Sequence, residues 1–156
     1  MPASNRRTVL EAAIESAAAS SDLPGSEVRL RGLGWATVDL DRAVDEFERD
    51  LGLPSGTFVE ALESTALGAR CRVAVDLLAG ISVALLEPST EGRVAAFLAR
   101  FGEQYAVAWY GSKIAIVDGL TEARPGPFGD ERLVIGGPGR GPYRLLIASR
   151  PGTIGR

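Results

Sequence analysis

The segment from residue 30 to residue 53, LRGLGWATVDLDRAVDEFERDLGL, constrains the fold more than any other part of the chain. Residues 29–38 form an apolar stretch that predicts a β-strand. Asp39 or Asp41 can then accept a hydrogen bond at a helix N-terminus, and Gly52 ends that helix. Its apolar side chains recur at helical spacing, at Leu40, Val44, Phe47 and Leu51. A strand followed directly by an amphipathic helix is therefore expected.

A hairpin and a second helix follow. Residues 70–78 and 81–87 are two apolar runs that turn at Ala79-Gly80, which predicts a β-hairpin. Ser89 or Thr90 then begins a helix that ends at Gly102. Further strands are predicted over 58–63, 104–110, 113–117, 132–135 and 143–149. The order is strand-helix-strand-strand-strand, a helix, and then mainly strands.

The N-terminal region precedes this pattern and is predicted to be an added helix. Residues 8–20 have a modest apolar face, and Thr8 with Glu11 fits a capping box. SSDLPGSE then has the composition of a linker. We expect an N-terminal helix and linker over 1–28, one domain over 29–150 and a mobile tail over 151–156. Within the domain, the first module covers about 29–88 and the second about 89–150.

Composition excludes several classes of partner. The net charge is −3 and no basic run occurs, so nucleic acid is not an expected partner. No apolar run approaches the ~20 residues of a membrane span, and Glu11 and Glu15 interrupt the only region that a secretory signal could occupy. Cys71 is the only cysteine, which favours the reducing cytoplasm. Lys113 is the only lysine among 17 basic residues, a bias typical of GC-rich bacterial genomes.

The absence of histidine restricts the chemistry most strongly. It removes the commonest general base at neutral pH and the Ser-His-Asp and Cys-His nucleophile systems. It also removes the usual ligands of zinc, iron and nickel. A carboxylate site for a hard cation remains open.

Three segments in this order resemble the vicinal oxygen chelate superfamily, and within it the methylmalonyl-CoA epimerase-like proteins. They are LGWATVDLDRAVDEFERDLGL, CRVAVDLLAGISVALLEP and STEGRVAAFLARFGEQYAVAW, and together they cover about residues 29–110. The resemblance implies an α+β fold in which two βαβββ modules form a curved mixed sheet around a cleft. It weakens from Gly111 onward, where the second module is trimmed and its helix shortened or missing. Because such proteins commonly pair modules across subunits, a homodimer is expected.

The same resemblance implies a divalent metal in the cleft, held by inward-facing side chains. The four ligand positions fall on Gly32, Ala84, Ala106 and, by a looser alignment, Ile147. None of these side chains can bind a metal. We therefore expect no metal and no cofactor, with the cleft itself retained.

Strand alternation predicts which residues line that cleft. The Ala79-Gly80 turn would place Val75 opposite Ala84, and cross-strand partners share a face. The expected lining is mainly apolar and roomy: Gly32, Gly34, Ala36, Val73, Val75, Leu77, Ser82, Ala84, Leu86, Ala106, Ala108, Tyr143, Leu145 and Ile147. Such a pocket favours a hydrophobic small molecule over a small charged substrate.

Few polar groups accompany this lining. Tyr110 could hydrogen-bond or protonate a carbonyl oxygen, or could be a sheet-edge tyrosine in water. Gln104 could orient a ligand carbonyl, or could be a polar strand terminus. Glu60 and Glu63 could act as bases in an apolar setting, or could be solvated edge charges.

Other notable residues favour structural interpretations. Lys113 is expected at the surface rather than in a Schiff base. Cys71 is taken as offset from the inward positions, buried and inert. Trp35 and Trp109 are expected to pack against helices, and GGPGRGP is interpreted as a loop that could cover the cleft.

Two functions remain open. The first is a metal-independent isomerase, cyclase or lyase that acts on a hydrophobic metabolite in bacterial natural-product metabolism, with Tyr110 and Gln104 as catalytic residues. The second is a protein that binds and sequesters a drug-like molecule without chemistry, and a non-catalytic partner subunit is a third interpretation.

Overall fold

The structure is a computed structural model that describes residues 4–18, 28–112, 120–135 and 142–148. The predicted strand over 113–117, Lys113, most of GGPGRGP and the tail over 151–156 lie outside the described residues. Within the described ranges the chain forms three helices and seven strands, in the order α1 Ser4–Ala18, β1 Arg29–Ala36, α2 Leu40–Asp50, β2 Val59–Ser64, β3 Ala69–Leu78, β4 Ile81–Pro88, α3 Arg93–Phe101, β5 Tyr105–Ser112, β6 Glu131–Leu133 and β7 Tyr143–Ala148.

The strands form one curled, mixed half-barrel sheet in the order β2-β3-β4-β1-β5-β7-β6. β1 is parallel to β4, β5 is parallel to β7, and β1 and β5 pair antiparallel between them. The expected α+β fold with a curved mixed sheet is confirmed. The elements β1-α2-β2-β3-β4 fall within the predicted first module, and α3, β5, β6 and β7 fall within the predicted second one; the division into modules stays a prediction.

Helix α2 forms where its sequence predicts. The Asp39 carboxylate accepts a hydrogen bond from the Arg42 N–H (3.1 Å), and this satisfies a donor that the first turn leaves without a partner. Phe47 is buried and packs edge-on against Trp35, with ring centroids 5.2 Å apart. This contact fixes α2 on one side of the sheet, which we call the outer face.

Helix α1 lies beside α2 on the outer face. Leu10, Ala13 and Ala17 belong to the same buried core as Leu33 and Trp35 of β1. The Arg6 guanidinium forms ion pairs with Glu46 (2.8 Å) and Asp50 of α2. The helix begins at Ser4 rather than at the predicted capping box, so Thr8 is internal to it.

Helix α3 packs on the opposite side through Val94 and Phe97. Its N-cap is Gly92, which makes no side-chain cap hydrogen bond, rather than the predicted Ser89 or Thr90. Gly102 follows the helix with a φ of 81°, as expected of a terminating glycine. No helix in the described ranges is both long and apolar enough to cross a bilayer.

Candidate functional site

The inner face is the side of the sheet that carries Gly34, Ala84 and Leu86, opposite α1 and α2. Most of the predicted lining lies on this face: Gly32, Gly34, Ala36, Val73, Ser82, Ala84, Leu86, Ala106, Tyr143, Leu145 and Ile147. Uninterrupted alternation along β1, β4 and β7 explains this agreement. Whether these residues bind a ligand stays a prediction.

The β3 prediction fails beyond Val73. The turn at Ala79-Gly80 forms as expected, but the ladder is interrupted between Ala74 and Leu78, and Val73 rather than Val75 pairs with Ala84. A bulge absorbs two residues there, and the Ser82 hydroxyl accepts the Asp76 N–H (3.1 Å). Consequently Val75 is 69% exposed, and Leu77 packs against the buried core of the outer face that contains Leu33.

The β5 prediction fails for a related reason. Irregularities in the β1–β5 ladder shift the alternation by one residue, so that Ala106 faces inward but Ala108 and Tyr110 face outward. The Tyr110 hydroxyl donates to the Ala17 carbonyl of α1 (2.9 Å). Tyr110 therefore helps to hold α1, and the prediction that it faces the cleft is wrong.

The other polar candidates also lie away from the inner face. Gln104 is exposed, and its side-chain amide donates to the Phe101 carbonyl (3.0 Å). It borders a surface depression of about 240 Å³, lined also by Phe97, Phe101, Tyr105 and Pro142. Glu60 and Glu63 are exposed, and Glu63 accepts the Ser89 hydroxyl (3.3 Å).

Trp109 and Cys71 occupy the inner face, contrary to expectation. Trp109 pairs with Gly32 across the β1–β5 ladder and is fully buried, whereas Trp35 does pack on helix α2 as predicted. Cys71 shares the inner face with Val73. Burial raises the pKa of its thiol to about 12, which keeps the thiol protonated and agrees with an inert role.

Glu131 is the chemical centre of the inner face and was missed from the sequence. Its side chain is 0% exposed. One carboxyl oxygen accepts the Trp109 indole N–H (2.9 Å), and the other accepts the Ser64 hydroxyl (2.5 Å). Burial raises the pKa of this carboxyl, although the hydrogen bonds from Ser64 and Trp109 act against that rise. The result is an acid–base group in apolar surroundings.

The sequence held only a weak signal for this residue. Glu131 begins a strand of three residues in GDERLVI, where a solvated edge charge is the ordinary interpretation. Its alternation with Leu133, which also faces inward, is the one pattern that indicates burial. A three-residue alternation is too short to settle the matter from sequence.

A short loop covers Glu131. We call residues 125–130 the capping loop; Arg124 and Glu131, which flank it, exchange both backbone hydrogen bonds (2.9 and 2.7 Å). Gly126 lies directly against the carboxyl, and a Cβ there would overlap Glu131 Oε1. The Phe128 ring rests edge-on against Trp109 (4.9 Å between centroids) and fills the space beside Gly32. The cleft expected to be open is thus occupied by the chain itself.

The predicted ligand positions on the inner face cannot hold the metal that the resemblance implies. Gly32, Ala84, Ala106 and Ile147 offer no side-chain ligand. Phe128 would lie 2.9 Å from a Cβ at Gly32. Across the described ranges no three His, Cys, Asp or Glu side chains are grouped so that they could hold a metal ion. The described residues do not fit such a metal.

The pKa of Glu131 makes the stability depend on pH. In the unfolded chain the carboxyl titrates near 4.5, and in the folded chain its pKa is higher. As pH rises through this window the unfolded state loses its proton first, so the free energy of unfolding falls until the folded pKa is passed. Urea unfolding of wild type and Glu131→Gln from about pH 5 to about pH 8 measures this fall in the free energy of unfolding, because Glu131→Gln lacks the titrating carboxyl.

Glu103 is the group whose titration must be separated from this effect. Burial raises its pKa, but hydrogen bonds from the Val38 N–H and the Arg42 guanidinium outweigh that and lower it overall. The contribution of Glu103 to the free energy of unfolding therefore changes at pH values below the ordinary pKa of a glutamate. Equal pH slopes for wild type and Glu131→Gln would contradict the assignment to Glu131.

Comparison with known proteins identifies a fold. No family model matches the sequence, and no curated protein matches it. Among solved structures, the methylmalonyl-CoA epimerase from Mycobacterium tuberculosis is similar with a TM-score of 0.63 and 19% identity, covering 80% of this chain and 90% of that one. A hypothetical protein from Bacillus halodurans has a TM-score of 0.62 and 18% identity, with coverages of 80% and 96%.

A third similar structure contains a ligand. A variant of the Streptomyces coelicolor methylmalonyl-CoA epimerase, in complex with 2-nitronate-propionyl-CoA, has a TM-score of 0.61 and 22% identity, covering 79% of this chain and 95% of that one. Identities at this level establish shared architecture. The chain therefore has the vicinal oxygen chelate fold, the fold of the methylmalonyl-CoA epimerases.

Proposed function

We propose that this protein is a metal-independent isomerase that moves a proton next to a carbonyl group of a hydrophobic small molecule. The observation that carries the proposal is Glu131, a fully buried carboxyl with a raised pKa on the inner face. Carboxyls whose pKa is raised in an apolar site are candidates for acid–base catalysis. The similarity in fold to epimerases supports an isomerase over a cyclase or a lyase.

The chemistry needs a base and a means to stabilise an enolate. Ionised Glu131 would take the proton from the carbon beside the carbonyl, and the electron pair of the broken C–H bond would move onto the carbonyl oxygen. The Trp109 N–H and the Ser64 O–H, which donate to the Glu131 carboxyl, are donors that could stabilise that oxygen. Return of the proton to the opposite face of that carbon, after the enolate turns in the site, completes an isomerisation, whereas return to the original face regenerates the starting molecule.

The apolar side chains of the inner face favour an apolar substrate. Leu86, Leu133, Leu145 and Phe128 belong to the inner-face cluster or pack against it. Thioester carbonyls are one suitable class, since the similar epimerase structures contain CoA thioester analogues.

We also propose a role in natural-product metabolism, on the basis of the composition of the chain. The single thiol, Cys71, is buried and supports a cytoplasmic location. Cell fractionation checks that location.

Proton exchange at the α-carbon tests the function with any thioester that enters the site, so the natural substrate is not needed. The protein is incubated in D₂O with methylmalonyl-CoA or with the N-acetylcysteamine thioester of phenylacetic acid, and mass spectrometry follows deuterium at the α-carbon. We expect protein-dependent exchange with the hydrophobic phenylacetyl thioester. Exchange no faster than in buffer for both probes would refute the isomerase.

A second function is favoured by the state of Glu131 itself. Both of its oxygens already accept hydrogen bonds, as expected of a carboxyl that only organises a binding surface. Under this alternative the protein sequesters a hydrophobic molecule and leaves it unchanged. Saturable binding of the phenylacetyl thioester without deuterium uptake would favour the binder over the catalyst.

We also propose that the protein is a homodimer. Strand β2 is an outer strand of the sheet, with Val59 and Leu62 exposed at 55% and 67%. An exposed edge with apolar side chains can pair with a second copy. We expect light scattering to give twice the 16.4 kDa of one chain, and Leu62→Asp to shift the mass to that of one chain. A single-chain mass for wild type at micromolar concentration would refute the dimer.

A further inference from the structure

We propose that Phe128 occupies the place of an aromatic group of the ligand, so that the ligand combines a flat ring with a nearby carbonyl or amide. This inference rests on the proposed site around Glu131 and specifies its ligand class. Phe128 would then act as an internal competitor that the ligand displaces.

The position of the ring is the first argument. Phe128 is half-buried: it contacts the inner-face cluster on one side and remains accessible on the other. Its ring packs edge-on against Trp109 and lies where a side chain at position 32 would otherwise be. Removing the ring would leave a cavity with the dimensions of a phenyl group, lined by the Trp109 indole and the Gly32 backbone.

The attachment of the ring is the second argument. In the described part of the chain, the Thr65 N–H donates to the Pro125 carbonyl (3.1 Å) and the Gly129 N–H donates to the Gly126 carbonyl (3.3 Å). Gly129 has a φ of 112°, a conformation that favours glycine. A segment held by few hydrogen bonds costs little free energy to move.

The location of Glu131 behind the ring is the third argument. Gly126 covers the carboxyl and Phe128 covers Trp109, whose indole N–H binds that carboxyl. A molecule that reaches Glu131 from this side must therefore take the place of the capping loop. The molecule that best replaces what it displaces presents a ring to Trp109 and a hydrogen-bonding group to Glu131.

Phenylacetamide is a suitable probe because it joins a phenyl ring to an amide. Binding is followed by the Trp109 indole N–H signal in ¹H–¹⁵N NMR spectra; the chain has two tryptophans, so Trp35→Phe assigns the signals. We expect phenylacetamide, but not acetamide, to shift the Trp109 signal of wild type. Phe128→Ala removes the competitor and should bind phenylacetamide at least about tenfold more tightly.

Controls separate this inference from a general effect of losing an aromatic ring. Phe101→Ala removes a ring that is 43% exposed on α3 and should keep the wild-type affinity. Phe128→Leu keeps part of the apolar volume but removes the flat ring, so it should also bind phenylacetamide more tightly than wild type, and it is used if Phe128→Ala does not fold. An unchanged affinity in a folded Phe128 variant, or the unfolding of both variants, would overturn the inference.

The phenylacetamide binding test and the deuterium exchange test can fail independently of each other. Tighter phenylacetamide binding by Phe128→Ala with no deuterium exchange would leave the ligand class intact and remove the isomerase. Deuterium exchange by wild type, with equal phenylacetamide affinity in wild type and Phe128→Ala, would support the isomerase and overturn the ligand class.

Discussion

Glu131→Gln is expected to slow deuterium exchange by about 10²–10⁴-fold, the usual contribution of a general base. Glutamine has nearly the same shape, and its carbonyl oxygen can still accept the Trp109 N–H while its NH₂ group can donate to Ser64 Oγ. It cannot take up a proton from carbon. The measurement is the initial rate of deuterium uptake into the phenylacetyl thioester, with circular dichroism to confirm the fold.

Glu122→Gln is the matched control for this change. Glu122 also lies on the segment leading to β6, but it is exposed, with the Arg124 guanidinium 4.0 Å away. Its substitution removes one negative charge without touching the inner face, so the exchange rate should stay within about twofold of wild type. Full exchange activity in Glu131→Gln would show that the proton is moved by another group or not at all.

Phe47→Ala is expected to cost about 3–5 kcal/mol of unfolding free energy, enough to endanger the fold of a domain this size. Phe47 is 1% exposed and makes edge-on contacts with Trp35 and Phe58, with centroids 5.2 and 6.1 Å away. Truncation would leave a cavity between α2 and the sheet. Urea unfolding monitored by circular dichroism gives the difference in free energy.

Phe101→Ala serves as the control for Phe47→Ala. It removes the same atoms from a ring that is 43% exposed, and we expect a loss below about 1 kcal/mol. Similar losses for the two variants would mean that α2 is not fixed through Phe47, contrary to the packing described above.

Long regular patterns made the first module predictable from sequence. The helical spacing after Asp39 and the two apolar runs around Ala79-Gly80 each extend over eight or more residues, so a single irregular position does not hide them. Strand order was obtainable through the resemblance, which depends on three such segments in series. The similarity to solved structures then confirmed the fold.

The candidate site was less predictable because it depends on local irregularities. The β3–β4 ladder is interrupted around Asp76, which turns Val75 away from the inner face. The β1–β5 ladder is also interrupted, which turns Tyr110 to the outer face. Neither interruption has a distinct sequence signature. Glu131 acquires its character from Gly126, Ser64 and Trp109, which come from three separate parts of the chain. Only the folded structure brings these groups together.

The packing of α1 has a consequence for how the protein is made. The Tyr110 hydroxyl reaches across 93 residues of sequence to the Ala17 carbonyl, and α1 lies over strands of both modules. As the chain leaves the ribosome, the apolar side of this helix has no complete partner until β5 has been synthesised. Folding that depends on so distant a pairing is slow compared with helix formation. A nascent chain arrested before β5 should therefore leave the Ala17 end of α1 exposed, and completion of β5 should end that exposure.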